Sequence, residues 1–222
     1  WNGIMNNNKP KLMHIISEYC RPSIAIGAAI VPSVGLCAPS GGAVVSGGID
    51  IQQDGLTTNI FQSTQSAIIN WDSFNIGANE TVNFIQPSST SVALNRVISS
   101  NPTTILGNLN ANGVVILVNP RGILFTKSAT LDVAGLVATT LDIGDQDFLN
   151  GQMQFTRQGD FSGQVVNEGQ IHTEDGGYVV LAGDYVENTG IVTANLGAVG
   201  LAAGQNLTLD LQGDGLVSFV VR

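Results

Sequence analysis

The sequence predicts an all-β parallel solenoid, and three observations carry that reading. A segment repeats: Val165-Val166-Asn167-Glu168-Gly169-Gln170-Ile171 matches Val186-Glu187-Asn188-Thr189-Gly190-Ile191-Val192 at a shift of 21 residues, and Gly183 maps onto Gly204 at the same shift. The apolar runs are short, rich in β-branched residues, and end at Asn, Gly or Pro. Charged residues make up only 11% of the chain while glycine numbers 27, so the polar surface is built from Asn, Gln, Ser and Thr. Exposed helices normally carry Glu/Lys pairs, and stacked strands do not need them. A period near twenty with Asn or Gly corners is the mark of a solenoid. The regularly spaced leucines of a leucine-rich repeat are absent, and a parallel β-helix fits. At about 21 residues per coil and about 4.8 Å between strands, the reading gives roughly eight coils and a rod near 40 Å long.

The first forty residues differ from the rest. Residues 1–4 lie upstream of a start at Met5. A basic stretch with Lys9, Lys11 and Arg21 then leads into the apolar run Ile24–Ala38. Residues 5–38 therefore read as a secretory signal peptide with a long leading region. Leu36 and Pro39 leave its cleavage point open. Residues 39–222 then form one domain with five basic and sixteen acidic side chains, a net charge of −11, and no cysteine. Such a domain depends on its core alone and can be held unfolded during export without mispaired thiols. The negative balance argues against a nucleic-acid partner, whose affinity comes from Lys and Arg.

Along that domain, Val44-Val45 and Ile49-Asp50-Ile51 open as short strands, followed by Thr57–Gln62. In Ala67–Gly77, residues Ile69, Trp71, Phe74 and Ile76 are expected to bury, as are Val82 and Phe84 in Glu80–Pro87. Val114–Val118 shows no polar alternation, which predicts burial on both faces. The segment Asn119-Pro120-Arg121-Gly122 separates it from Ile123–Phe125 and reads as a sharp corner: Pro120 fixes φ, Gly122 permits positive φ, and Asn119 can bond its own backbone. Ala129–Val133 and Gly135–Thr140 continue the pattern, Asp142–Phe155 reads as a loop or excursion, and Tyr178–Ala182 and Ala198–Ala202 are the second runs of the two repeats. Repeat corners fall at Asn112, Gly113, Asn167, Gly169, Asn188 and Gly190. Asn206–Leu211 and Leu216–Arg222 are strand-like to the last residue, so the rod is expected to continue into a longer protein.

Catalytic chemistry finds little support. His172 flanks a turn and reads as a surface residue rather than a general base. Asp142, Asp145 and Asp147 lack the glycine and third carboxylate of a calcium loop. Trp71 and Phe74 read as core rather than a sugar platform. No metal, cofactor or catalytic residue is expected.

Taken together, Ile68-Ile69-Asn70-Trp71-Asp72-Ser73-Phe74-Asn75-Ile76-Gly77, Val82–Ser88, Ala93-Leu94-Asn95-Arg96-Val97, Ile105-Leu106-Gly107, Ala111-Asn112-Gly113 and Asn119-Pro120-Arg121-Gly122-Ile123 resemble the N-terminal secretion domain of two-partner-secretion exoproteins, the filamentous haemagglutinin and high-molecular-weight adhesin family. The resemblance covers about residues 41–210. It implies a right-handed single-stranded parallel β-helix with an N-terminal cap and extra-helical strands. It also implies recognition by an outer-membrane β-barrel transporter with periplasmic POTRA domains, and passage through the periplasm to the surface of a Gram-negative bacterium. A monomer is expected, contacting host cells, if at all, through downstream regions; the alternative is an adhesin domain that itself binds glycans. Asn95, Arg96, Asn119, Pro120, Arg121, Gly122 and Ile123 become candidates for transporter recognition or for a fold-critical role. The family's usual Asn-Pro-Asn-Gly corner has Arg121 in third place here. Arg96 is either a buried partner for a carboxylate or a recognition point.

Overall fold

A computed structural model describes residues 37–210 and 218–221. The expected leader, apart from Cys37 and Ala38, lies outside the described residues. Two short strands, β1 (Ala43–Ser46) and β2 (Ile49–Asp54), precede the solenoid. The solenoid is then built from β3 (Thr57–Gln62), β4 (Ser66–Trp71), β5 (Thr81–Ile85), β6 (Val92–Val97), β7 (Thr103–Ile105), β8 (Asn108–Val118), β9 (Ile123–Phe125) and β10 (Thr130–Thr139). An excursion follows, with one helical turn, α1 (Asp145–Leu149), and strand β11 (Gln154–Thr156). The chain returns as β12 (Gln164–Asn167), β13 (Gln170–Gly183), β14 (Tyr185–Asn188), β15 (Ile191–Ala194) and β16 (Ala198–Ala203), and finishes with β17 (Asn206–Asp210) and β18 (Ser218–Val221).

Three parallel sheets result, one per side of the tube. The first stacks β3, β5, the start of β8, the start of β10, the start of β13 and β15. The second stacks β4, β6 and the later parts of β8, β10 and β13 on to β16. The third runs β7-β9-β12-β14. Strands β2 and β1 add antiparallel to β3 and β4, and they cover the N-terminal end of the first and second sheets. Each of these two stacks is six parallel strands deep among the described residues, seven with its antiparallel cap strand, fewer than the eight coils the period suggests, because the last segment does not coil. β17 instead leaves the tube and pairs antiparallel with β11 on one side and β18 on the other.

That departure explains the unalternated runs. Inward-facing Ile69, Trp71, Phe74, Val115, Leu117, Leu136 and Leu181 fill the tube. Outward-facing Ile68, Leu94, Ile116, Val137 and Val180 form a second core, covered by Phe148 of α1, Phe155 of β11, and Leu207 and Leu209 of β17. The second sheet is thus apolar on both faces, which is why Val114–Val118 is continuous. The first sheet faces solvent, and its burial alternates along β3, β5 and the starts of β8, β10 and β13. Its outer face carries an amide ladder in which Asn110 donates to Asn83 (2.9 Å) and Asn83 to Asn59 (2.9 Å).

Corners are where the glycines matter. The residues just before successive strands of the first sheet are Glu80, Gly107, Ala129, Gly169 and Gly190, and their carbonyls accept from the strand one coil on: Asn108 N–H to Glu80, Thr130 to Gly107, Gln170 to Ala129, Ile191 to Gly169. A Cβ on Gly107, Gly169 or Gly190 would run into the backbone carbonyls of the coil beneath. None of these three has positive φ, so close stacking, not backbone freedom, selects glycine there. A parallel column, Ser91, Gly113, Ala134, Gly177 and Gly197, lies at the junction of the first and second sheets, and a Cβ at Gly113, Gly177 or Gly197 would likewise press on the carbonyl below.

Candidate functional site

The family-like motif residues fall into two clusters. In the first, Asn95 on β6 is fully buried. Its Oδ1 accepts from Trp71 Nε1 at 3.0 Å, and its Nδ2 donates to the carbonyl oxygens of Ala93 (3.1 Å) and Ile116 (3.4 Å). The indole packs edge-on against Phe74, with ring centroids 5.4 Å apart. Asn95 thereby satisfies the one polar atom of the Trp71 side chain inside an otherwise apolar tube.

Its neighbour Arg96 points the other way, to the outer core. Nε donates to Asp142 Oδ1 at 2.8 Å, Nη2 lies 2.9 Å from Asp145 Oδ1 and donates to the Ile143 carbonyl at 2.7 Å, and Nη1 donates to Asn70 Oδ1 at 3.2 Å. Arg96 thus makes ion pairs with two carboxylates. It fixes the start of the excursion to the second sheet. Burial opposes its charge, but the hydrogen bonds and charges of Asp142 and Asp145 outweigh that, and its pKa is raised above the usual value. A raised pKa contributes stability that is present below the unfolded value and lost only as pH climbs past the folded one. Arg96 therefore stays charged throughout any ordinary pH range. Arg96→Met should lower stability by about 2 kcal/mol in urea unfolding. That is less than the 3–5 kcal/mol seen for a fully buried pair, because Asp145 remains 41% exposed.

The second cluster is the corner between β8 and β9. Gly122 N–H donates to the Asn119 carbonyl at 3.0 Å, which closes a β-turn over Pro120 and Arg121. Arg121 has no positive φ whereas Gly122 sits at φ +116°. The third turn position therefore accepts any L-residue, as in a type I turn, and the glycine requirement falls on the fourth. This is why arginine fits where the family usually has asparagine. Asn119 is fully buried. Its Oδ1 accepts from Arg121 N–H at 2.9 Å, while Nδ2 donates to the Asn101 carbonyl and to Thr103 Oγ1, both at 3.0 Å. One side chain thus ties its own turn to the preceding coil. Ile123 is buried in the tube. The exposed Arg121 guanidinium lies 3.6 Å from the centroid of the Phe161 ring, a cation–π contact with the returning leg of the excursion.

The remaining sites are corner devices. Asn112 clamps the backbone of Gln86, accepting from its N–H at 2.7 Å and donating to its carbonyl at 2.8 Å. Together with Gly113 it lies within β8, where that strand passes from the first sheet to the second. Asn167 donates to Asn188 Oδ1 one coil on (2.8 Å) and accepts from Gly169 N–H (3.1 Å). Glu80 carries a role the sequence did not suggest. Its buried carboxylate accepts from the backbone N–H groups of Gly77 and Cys37, each at 2.7 Å, and so fastens the entering segment to the first corner. An acid directly before a strand of apolar alternation, at a position glycine takes in later coils, was the available signal.

Elsewhere the chemistry is sparse. His172 is exposed on the first sheet. Asp142 and Asp145, weighed above as calcium ligands, are engaged by Arg96, and among the described residues no group of three or more His, Cys, Asp or Glu side chains is placed to hold a metal ion. A groove of about 560 Å³ runs between α1 and the second sheet, lined by Val92, Val114, Phe148, Met153, Tyr178 and Glu174 among others; its lining contains neither histidine nor cysteine. Burial raises the Tyr178 phenol, which keeps it neutral.

A capped parallel β-helix whose buried polar groups tie turns and neighbouring coils together, and do not converge on a cleft, defines a β-helical module. The family profile of the TPS secretion domain matches residues 37–219, and the chain belongs to that family. It is 43% identical over 182 residues to a heme/hemopexin-binding protein of Haemophilus influenzae, an alignment that takes in 78% of this chain and 20% of that protein. Among solved structures, the HMW1 secretion domain from Haemophilus influenzae superposes with a TM-score of 0.78 at 35% identity, over 83% of this chain and 50% of that one. The filamentous hemagglutinin secretion domain shares the fold, with a TM-score of 0.56 at 18% identity over 82% of this chain and 67% of that one. The chain thus spans about one fifth of the length of that curated relative. Membership implies a cognate outer-membrane transporter and secretion by the two-partner route of Gram-negative bacteria. The similar secretion domains point to a non-enzymatic role.

Proposed function

We propose that this chain addresses a longer exoprotein to its transporter while still extended in the periplasm, where strand-forming segments add to the edge of a POTRA sheet. Backbone hydrogen bonds supply affinity in that mode and alternate side chains supply specificity. Once outside, the first coils fold under the β1–β2 cap, and each later coil stacks on a formed one, so folding biases movement outward without ATP. The observation that carries this reading is the secretion-domain match over residues 37–219. The stacked corner columns support its second half, because each coil's first strand N–H bonds the coil before it. The activity of any downstream region, on host cells or elsewhere, lies beyond this segment.

The test is co-expression in a Gram-negative host with and without the cognate transporter. The chain should reach the medium only when the transporter is present, and loss of the POTRA domains should abolish release. Equal release in both strains would overturn the reading.

A further inference from the structure

Strand β17 completes the outer core from a distant part of the sequence. Its side chains alternate, with Leu207 and Leu209 buried and Asn206 and Thr208 exposed. Its ladder partner β11 pairs as Gln154 with Thr208, Phe155 with Leu207 and Thr156 with Asn206. The Leu209 N–H also donates to the Met153 carbonyl at 2.9 Å. Yet β11 precedes β17 by all of β12 to β16. When the chain folds from its N-terminal end, the second sheet, α1 and β11 can assemble while the place of β17 is still vacant. That vacancy has an unpaired strand edge along Gln154–Thr156 and a floor of apolar residues from the outer core. Its shape accepts an extended segment with apolar side chains two residues apart.

We propose that the β17 position is a strand-addition site, occupied during export by an extended strand of the transporter and vacated when the chain's own Asn206–Asp210 displaces it. Several observations carry this assignment. β17 lies outside the tube, so its removal leaves the coil stack intact. It inserts two side chains into the outer core and meets β11 over only three residue pairs, so exchange breaks that short ladder if β18, paired along the other edge of β17, moves with it. And it is the last described piece of the outer core to be made. Arrival of residues 206–210 would then report that the preceding coils are complete, and would release the domain from its partner. The proposal rests on the export reading for the identity of that partner.

The site can be probed without the transporter. The full chain carrying Leu207→Asn and Leu209→Asn should bind a fluorescent peptide of residues 204–211 at least tenfold more tightly than the unaltered chain. The same peptide with both leucines changed to asparagine should not bind. A folded double variant that ignores the peptide would overturn the proposal, as would equal binding by the unaltered chain. Should the double variant fail to fold, hydrogen exchange on the unaltered protein decides: amides of Asn206–Asp210 should exchange at least tenfold faster than those of Val114–Val118, and equal protection would overturn the exchange step. A chain released without any transporter but able to take the peptide would overturn the export reading and the partner named here, whereas transporter-dependent release with no peptide binding would overturn the strand site alone.

Discussion

Gly107→Ala is expected to lower the stability of the domain by about 4 kcal/mol or more. The added Cβ would collide with the carbonyl oxygens of Gly77 and Glu80 in the coil beneath, both backbone atoms that no rotamer change can move. Those carbonyls belong to the ladder joining the two coils, since Asn108 N–H bonds Glu80 at 2.9 Å. Relief requires the coils to part, and the cost should reach about 4 kcal/mol or more, at the upper end for a single substitution. A domain of this kind has a stability of the order of 10 kcal/mol, so the loss is a large fraction of the whole. Ala129 supplies the control. It occupies the same column one coil on, and Ala129→Gly should cost only about 1 kcal/mol, from backbone entropy and one lost methyl. Urea midpoints of the two variants should differ widely; equal midpoints would show that the column does not set coil spacing.

Asn119→Ala should destabilise the domain by about 3 kcal/mol. It strands the half-buried Asn101 carbonyl and the buried Thr103 hydroxyl, with desolvation costs of about 1–3 kcal/mol for a fully buried group and less for the first, while the Arg121 N–H on the exposed turn recovers a water. Asn119→Asp gives a sharper reading. It keeps the acceptor for Arg121 but sets a carboxylate against the Asn101 carbonyl, so it should be at least as damaging as alanine. Arg121→Asn, by contrast, should change stability by less than about 1 kcal/mol, because the turn makes no demand on that position and only an exposed cation–π contact is lost.

Much of this was legible in the sequence, for physical reasons that differ by element. Ile69, Trp71, Phe74, Ile76, Val82 and Phe84 all enter the tube, and for Val82 and Phe84 the reason is a period of two on a sheet with one face in solvent. The Asn119–Gly122 turn could be read because its chemistry is local. Val114–Val118 announced burial on two sides but not what lay on the far side. Its cover comes from Phe148, Phe155, Leu207 and Leu209, contacts at long sequence separation that no local period encodes. The final strands illustrate the same point: Asn206–Asp210 alternates like any coil strand, and only its pairing with Gln154–Thr156 takes it off the rod. Asp142 and Asp145, read alone, belong to a polar loop without the pattern of a calcium site. Across the fold they are the counter-ions of Arg96, a pairing that leaves no trace in spacing.

Asn95 and Asn119 are buried, and Arg96 is partly buried in its ion pairs with Asp142 and Asp145. We propose that these residues act on export through the stability of the β-helix. The most direct test measures, for the Asn119→Ala, Arg96→Met and Gly107→Ala chains, both the thermal stability of the purified domain and the rate of transporter-dependent release. Release should fall in step with stability, and a second-site stabilising change should restore both together. An Asn119 variant that kept its Tm while losing release would contradict this and make the corner a recognition site in its own right.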